Sequence, residues 1–244
     1  MNIIISPDAE TLGKKAASFA AGKLNEAVTI NGEARLVVST GASQFETFKH
    51  LVKEDIPWQQ IEVFHLDEYI GLPITHPASF RKYLNERFIN HVNVKKFHSI
   101  DLEGEISTVI RKLSEEIRKK PVDVGLIGIG VNGHIAFNDP PADFDTHDSY
   151  IKVKLDDVCK MQQVNEGWFK SAGEVPDFAV SMSVFQIMQC RTIVSCVPHK
   201  VKAEAVYKMF TSRLTNMVPA TMLKQHPDYH LFLDYQSASR VIIF

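Results

Sequence analysis

Short, continuously apolar segments alternate along the chain with amphipathic ones. The apolar segments read "NIIIS", "ARLVVST", "IEVFHL", "VDVGLIGIG", "RTIVSCV", "HLFLD" and "RVIIF". Helical periodicity marks the stretches between them, such as "AETLGKKAASFAAGKLNEAV" and "EISTVIRKLSEEIRKK". Strands that are apolar on both faces are typical of parallel sheets covered by helices on both sides. We therefore predict a doubly wound α/β fold, a Rossmann-like three-layer sandwich with a mostly parallel sheet.

Composition narrows the class of protein. The 244 residues are 45% hydrophobic and 23% charged, which suits a single domain over 1–244 with a sizeable core. A formal charge of -2 gives no general attraction to nucleic acid or to anionic membranes. Three cysteines without metal-ligand spacing, and no signal peptide or membrane span, predict a cytoplasmic protein without disulfides.

Ligands of such folds bind beyond the carboxyl ends of the strands. The segment "STGASQF" follows the second apolar run, and its small residues open a helix where backbone N–H groups favour an anion. Ser43 is either a helix N-cap or a phosphate ligand there. A plain capped turn remains the alternative interpretation.

The next strand end carries two adjacent carboxylates, Asp67 and Glu68, in "HLDEYIGLP". Neighbouring strand residues face opposite sides, so one carboxylate can face a cleft as a base while the other has a different role. The alternative is a solvated acidic turn. In "HPASFRKYL", Ser79 is a plausible helix N-cap, and Arg81 or Lys82 either approaches a ligand or stays in water.

The segment "GIGVNGHIAFNDPP" places a histidine beside glycines at a strand's carboxyl end. Its glycine spacing is not the dinucleotide fingerprint, and no helix opens after it. His134 and Asp139 lie five residues apart across an apolar bend, which favours a functional histidine over a structural one. In "VPHKVKAEAV", Lys200 and Lys202 stand in the first turn of a predicted helix, where a bound anion would offset the unfavourable helix dipole. Both lysines could equally project into water.

Five motifs in order resemble the glucosamine-6-phosphate deaminase (isomerase) family, which shares a fold with the 6-phosphogluconolactonases. They are "TGASQ", "HLDEYIGLP", "HPASFRKYL", "GIGVNGHIAFNDP" and "VPHKVKAEAV". The lactonase branch carries a DER-type acidic turn and a GHTASLFP-type segment, and this chain has neither. The resemblance implies a hydrolytic deaminase that converts glucosamine 6-phosphate to fructose 6-phosphate and ammonia, without metal or cofactor.

The resemblance also implies site residues. Asp67 would be the base for the carbon-bound proton, and His134 would open the sugar ring with Asn132 and Asp139 as its supporting groups. The predicted substrate-binding residues are Thr40, Gly41, Ala42, Ser43, Glu68, Lys160 and Lys200.

This chain departs from the family pattern at several points. The phosphate turn of the family usually reads TGGTP or TGSTP, position 132 is Asp in some members, and an arginine usually stands near Lys160. Asp139 replaces a glutamate, and a carboxylate displaced by roughly 1 Å can cost ~10²-fold in rate. These differences leave other functions open: a galactosamine-6-phosphate deaminase, a 6-phosphogluconolactonase or a non-catalytic sugar-phosphate sensor. Residues 145–175 are predicted as a lid or as a long surface loop, and an oligomer is compatible with the sequence.

Overall fold

The computed structural model describes residues 1–102 and 104–241 of the chain. Over these residues the strands are β1 (Asn2–Ser6), β2 (Ala34–Val38), β3 (Ile61–His65), β4 (Asp67–Tyr69), β5 (Lys96–His98), β6 (Val124–Leu126), β7 (Tyr150–Lys154), β8 (Phe178–Met182), β9 (Thr192–Val197) and β10 (Tyr229–Asp234). The helices are α1 (Ala9–Asn31), α2 (Phe45–Leu51), α3 (Phe80–Arg87), α4 (Ile106–Arg118), α5 (Asp157–Asn165), α6 (Val184–Ile187) and α7 (Ala203–Thr211).

Seven strands form one parallel sheet in the order β1-β10-β9-β6-β2-β3-β5. Its side chains alternate between two apolar clusters, as β2 shows: Val37 packs in one, whereas Leu36 and Val38 pack in the other. Residues of α4 and α7 belong to the first cluster, and residues of α1, α2 and α3 to the second. Helices therefore cover both faces of the sheet, and the predicted doubly wound α/β fold is confirmed.

Local signals in the sequence set the bounds of the longest helix, α1. Asp8 caps its start by accepting a hydrogen bond of 2.7 Å from the N–H of Thr11. Gly32 ends it in the left-handed region, with φ of 76°, and donates its N–H to the carbonyl of Val28. The alanine- and leucine-rich face between these caps is buried against the sheet and against α2.

A second, antiparallel sheet of three strands, in the order β4-β8-β7, was not predicted. It begins immediately after β3, because only Leu66 separates the two strands, and Asp67 pairs with Ser181 of β8. The strand change at this point brings the side chain of Asp67 to the carboxyl end of the parallel sheet.

Three further predictions concern the C-terminal strand, the cysteines and membrane-spanning helices. Of the predicted strand "RVIIF", residues 242–244 lie outside the described residues, and Arg240 and Val241 lie in a turn. Cys159, Cys190 and Cys196 are free and buried. Across the described part of the chain, no helix has the length and apolar character needed to cross a bilayer.

Candidate active site

The carboxyl ends of β2, β3 and β6 open onto one cleft of about 590 Å³, including its open mouth. Six of the predicted site residues line the cleft: Thr40, Gly41, Ala42, Ser43, Asp67 and His134.

The turn after β2 is shaped for close approach by a ligand. Gly41 has φ of 92°, a region that favours glycine, and its carbonyl accepts a hydrogen bond of 2.9 Å from the hydroxyl of Tyr83. A short 3₁₀ turn, Ala42–Gln44, follows and leads into α2. Ser43 makes no side-chain capping bond to this helix, whose N-cap is Gln44, and it lines the cleft instead.

Lys202, and not Lys200, lies against this turn. Lys202 is 5% exposed and lines the cleft, whereas Lys200 is exposed to solvent. The helical repeat explains the difference, because Lys202 continues the inward face of Ala205, Val206 and Met209. The predicted contact of Lys200 with a ligand stays a prediction, and Lys202 is the lysine that lines the cleft.

The ammonium group of Lys202 makes no hydrogen bond or ion pair among the described residues. Burial lowers its pKa, while the charge of Glu166 across the cleft acts in the opposite direction. A buried cation without a partner is costly, so the cleft is electrostatically prepared for an anion.

Asp67 is 6% exposed and lines the cleft. Burial raises the pKa of its carboxyl well above the usual range, and the charges of Glu68 and Asp139 raise it further. A carboxyl group with a raised pKa in a cleft is a candidate general base.

Glu68 points away from the cleft, as the alternation of side chains along a strand requires. Its carboxylate accepts hydrogen bonds from the N–H groups of Tyr69, Phe80 and Arg81 and from the hydroxyl of Ser79. It thus supports the start of α3, where a negative charge is favourable. The predicted direct contact of Glu68 with a ligand stays a prediction, and Glu68 is not among the residues that line the cleft.

His134 is held in the cleft by its own loop. Its backbone N–H donates to Oδ1 of Asn132 at 3.0 Å, and the N–H of Gly130 donates to the carbonyl of His134 at 2.9 Å. The imidazole lies directly on Gly130, where a side chain would overlap its Cε1 and Nε2 atoms. The glycine is therefore required by close packing against the histidine.

Asp139 lies beside the same imidazole, with its Oδ1 3.0 Å from Nδ1 of His134. Burial acts to raise the pKa of Asp139, but the interaction with the adjacent His134 outweighs burial, and the pKa is lowered. The backbone N–H of Asp156, the N-cap of α5, approaches Oδ2 at 3.3 Å. The aspartate thus reaches the histidine despite being shorter than a glutamate.

Sequence reasoning missed the contribution of α5. Gln162, Gln163 and Glu166 line the cleft from one side of this helix and its C-cap. Lys160 forms an ion pair of 2.5 Å with Asp177, and its predicted contact with a ligand stays a prediction. Cys159, Gln162 and Gln163 have the i, i+3, i+4 spacing of one helix face. Because two of the three are polar, this pattern did not indicate a buried helix face in the sequence.

These features define the class of protein. It is an α/β protein with a cleft at the carboxyl edge of its parallel sheet, and the cleft contains a carboxyl group, a histidine and a turn suited to bind an anion. The profile of the family described as "Glucosamine-6-phosphate isomerases/6-phosphogluconolactonase" matches residues 7–231. A glucosamine-6-phosphate deaminase of Thermoanaerobacter pseudethanolicus is 35% identical, over 99% of this chain and 95% of its own length. The chain belongs to the glucosamine-6-phosphate isomerase/6-phosphogluconolactonase family.

Two solved structures are similar to this chain along nearly its whole length. A monomeric glucosamine-6-phosphate deaminase superposes with a TM-score of 0.90 at 27% identity, covering 98% of this chain and all of that one. A 6-phosphogluconolactonase of Thermotoga maritima gives a TM-score of 0.79 at 15% identity, covering 96% of this chain and 99% of that one. The second likeness shows the shared fold alone.

Proposed function

We propose that this protein converts glucosamine 6-phosphate to fructose 6-phosphate and ammonia. One observation carries the proposal. The buried carboxyl of Asp67, the His134–Asp139 pair and the turn beside Lys202 meet in a single cleft. The identity of 35% to a named deaminase supports the same reaction.

The phosphate binds to the turn Thr40–Ser43, with Lys202 supplying the positive charge. This arrangement places a dianion where free backbone N–H groups begin a helical segment and where a buried ammonium group lacks a partner. The rest of the hexose then extends along the cleft toward Asp67 and His134.

His134 opens the sugar ring by moving a proton from the anomeric hydroxyl to the ring oxygen. An imidazole suits this step, since it accepts and donates protons near neutral pH. Asp139, 3.0 Å from Nδ1, orients the ring and stabilises its charged form.

Asp67 completes the reaction as the carbon base. It removes the proton from C2 of the open-chain aldehyde while the C1 oxygen gains a proton, which gives an enolamine. Return of a proton at C1 and loss of a proton from nitrogen then leave an imine at C2. Water adds to C2 and ammonia leaves, so the net change is isomerisation with hydrolytic loss of the amino group. The raised pKa of Asp67 is suited to abstraction of a weakly acidic proton.

The test is ammonia release from glucosamine 6-phosphate and galactosamine 6-phosphate side by side, with 6-phosphogluconolactone as a control. We expect ammonia from glucosamine 6-phosphate and no lactone hydrolysis above background. Faster release from the galacto sugar would reassign the substrate, and lactone hydrolysis without ammonia from either sugar would overturn the proposal.

Replacement of Lys202 by methionine should weaken phosphate recognition selectively. The loss of a charged hydrogen bond of about 1.5–3 kcal/mol predicts a KM about 10- to 150-fold higher. Lys200→Met is the matched control, because Lys200 is exposed two positions away. Steady-state kinetics and competition by inorganic phosphate measure the effect, and equal losses in the two variants would contradict the role of Lys202.

Residues 145–175 contain β7 and α5, so a plain irregular loop does not describe them. A lid remains a proposal for the part that carries Trp168, which donates from Nε1 to Glu166 at 3.2 Å near the cleft. Closure over the phosphate should change the fluorescence of Trp168.

The chain has two tryptophans, so Trp58→Phe leaves Trp168 as the single reporter. We expect this variant to respond to glucosamine 6-phosphate and Trp168→Phe to give no response. An unchanged emission spectrum in Trp58→Phe at saturating sugar phosphate would rule out closure at this position.

A further inference from the structure

Three side chains of different chemistry converge beside the cleft. A ring nitrogen of His134, a carboxylate oxygen of Asp139 and Sγ of Cys159 all lie within 4.8 Å of one another. The thiol of Cys159 therefore lies close to the carboxylate of Asp139. The proposed reaction uses the histidine and the aspartate, and it gives the thiol no part.

The local structure holds these three donors in place. Cys159 is fully buried in the first turn of α5, and its N–H donates at 2.5 Å to the capping carboxylate of Asp156. The N–H of Asp156 in turn approaches Asp139 at 3.3 Å. The donors come from two separate segments, the loop after β6 and the start of α5, so cysteine spacing along the sequence could not reveal the cluster.

We propose that His134, Asp139 and Cys159 form a binding site for a thiophilic divalent cation such as Zn²⁺, and that the bound ion inhibits the enzyme. Imidazole nitrogen, carboxylate oxygen and thiolate sulfur are the three ligand types that zinc takes in proteins. Tetrahedral bond lengths separate such ligand atoms by roughly 3.3–3.6 Å. The His134–Asp139 pair is at 3.0 Å and the thiol lies within 4.8 Å of both, so coordination requires only a local adjustment of these side chains.

The fourth coordination position would face the cleft, because His134 lines it. Binding displaces the thiol proton and occupies Nδ1 and the Asp139 carboxylate together. The imidazole then loses the partner that orients it, and ring opening stops. Mg²⁺ and Ca²⁺ prefer oxygen ligands, so the sulfur donor selects against them.

A second group of donors, Glu10, Glu46 and His50, lies at the surface within the described residues and contains no sulfur. Glu10 is already paired with Lys49 at 2.5 Å and with His50 at 2.8 Å. This difference makes a sulfur-specific signal diagnostic of the Cys159 site.

The test is titration of the full chain with Co²⁺, without substrate, while recording the thiolate-to-cobalt charge-transfer absorption in the near ultraviolet. We expect a band that saturates, that Zn²⁺ abolishes by displacement and that excess Mg²⁺ leaves unchanged. The band should vanish in Cys159→Ser and persist in Cys190→Ser and Cys196→Ser, in which the other two buried cysteines are replaced. Absence of the band in the wild type, or its survival in Cys159→Ser, would overturn the site.

Two further readouts keep the site testable if Cys159→Ser folds poorly. Asp139→Asn retains the thiol, and loss of a direct ligand should weaken cobalt binding by at least the ~10- to 100-fold that loss of an outer-shell partner costs. Unchanged affinity would refute the assignment. Inhibition of ammonia release by Zn²⁺ should weaken to the same extent in Cys159→Ser, relative to its own rate without metal. Only this inhibitory consequence rests on the proposed activity, because the cobalt band requires no turnover.

Discussion

Replacement of Asp67 by asparagine should abolish ammonia release and at the same time stabilise the folded protein at neutral pH. Asparagine has nearly the same shape but cannot accept the C2 proton. General-base catalysis contributes about 10²–10⁴-fold, so kcat should fall by at least that factor. Folding should benefit because a carboxylate buried near Glu68 and Asp139 is replaced by a neutral group.

The pH dependence of the stability gain has a definite sign. Above pH 3.8, the ordinary pKa, Asp67 in the unfolded chain is ionised while the buried carboxyl retains its proton until its raised pKa is reached. The folded state therefore binds more protons in this window, and wild-type stability falls as pH rises. The advantage of Asp67→Asn should be absent near pH 3.8 and grow with pH to about 1–2 kcal/mol.

Two measurements decide the matter. Thermal unfolding of both proteins across pH 4–8 should show a stability difference that grows as the pH rises. A stability difference independent of pH would mean that burial does not raise the pKa of Asp67. Proton NMR in deuterated buffer should show C2 exchange of glucosamine 6-phosphate with the wild type and not with the variant. Continued exchange in Asp67→Asn would remove it as the base.

The main sheet was predictable because burial on both faces leaves a clear apolar signature. The second sheet was not, since its strands carry mixed patterns: β7, "YIKVK", is polar at alternate positions, and β4 consists of only three residues, "DEY". Its pairing depends on contacts between β4 and β8, more than a hundred residues apart. Such long-range pairing leaves no local trace in a single sequence.

The candidate site was predicted best where a strand end fixes the side chain. Asp67 and His134 follow directly from β3 and from the loop after β6, and both face the cleft. Identifying Lys202 required the helical phase of α7, because only this phase shows which of Lys200 and Lys202 faces inward. The cleft residues of α5 could be identified only from the tertiary structure. In the sequence, a polar helix face that lines a cleft looks the same as one that faces water.

The structure gives the position of the Asp139 carboxylate, which the sequence alone could not show. A missing methylene predicts a displaced carboxylate and a slower enzyme. In the structure the carboxylate lies 3.0 Å from His134, and the start of α5 lies close to it through Asp156 and Cys159. Asp139 therefore lies between His134 and the start of α5, which argues against loss of catalysis at this position.

The position of His134 should matter as strongly as its chemistry. His134→Gln removes the proton carrier and should lower kcat for the cyclic sugar by about 10²–10⁴-fold. Gly130→Ala leaves the histidine present, but the added methyl group overlaps the imidazole and must displace it. A misplacement of about 1 Å predicts a loss of ~10²-fold in kcat.

The double variant, which combines Gly130→Ala with His134→Gln, distinguishes displacement of the imidazole from a wider disturbance of the cleft. If Gly130→Ala acts through the imidazole, it should cost almost nothing further in the His134→Gln background, so the two effects should be strongly non-additive. Kinetics of the four proteins, with their thermal unfolding as a folding check, give the coupling. Additive losses would mean that the methyl group disturbs the cleft itself, and the packing of His134 on Gly130 would then have no special part in catalysis.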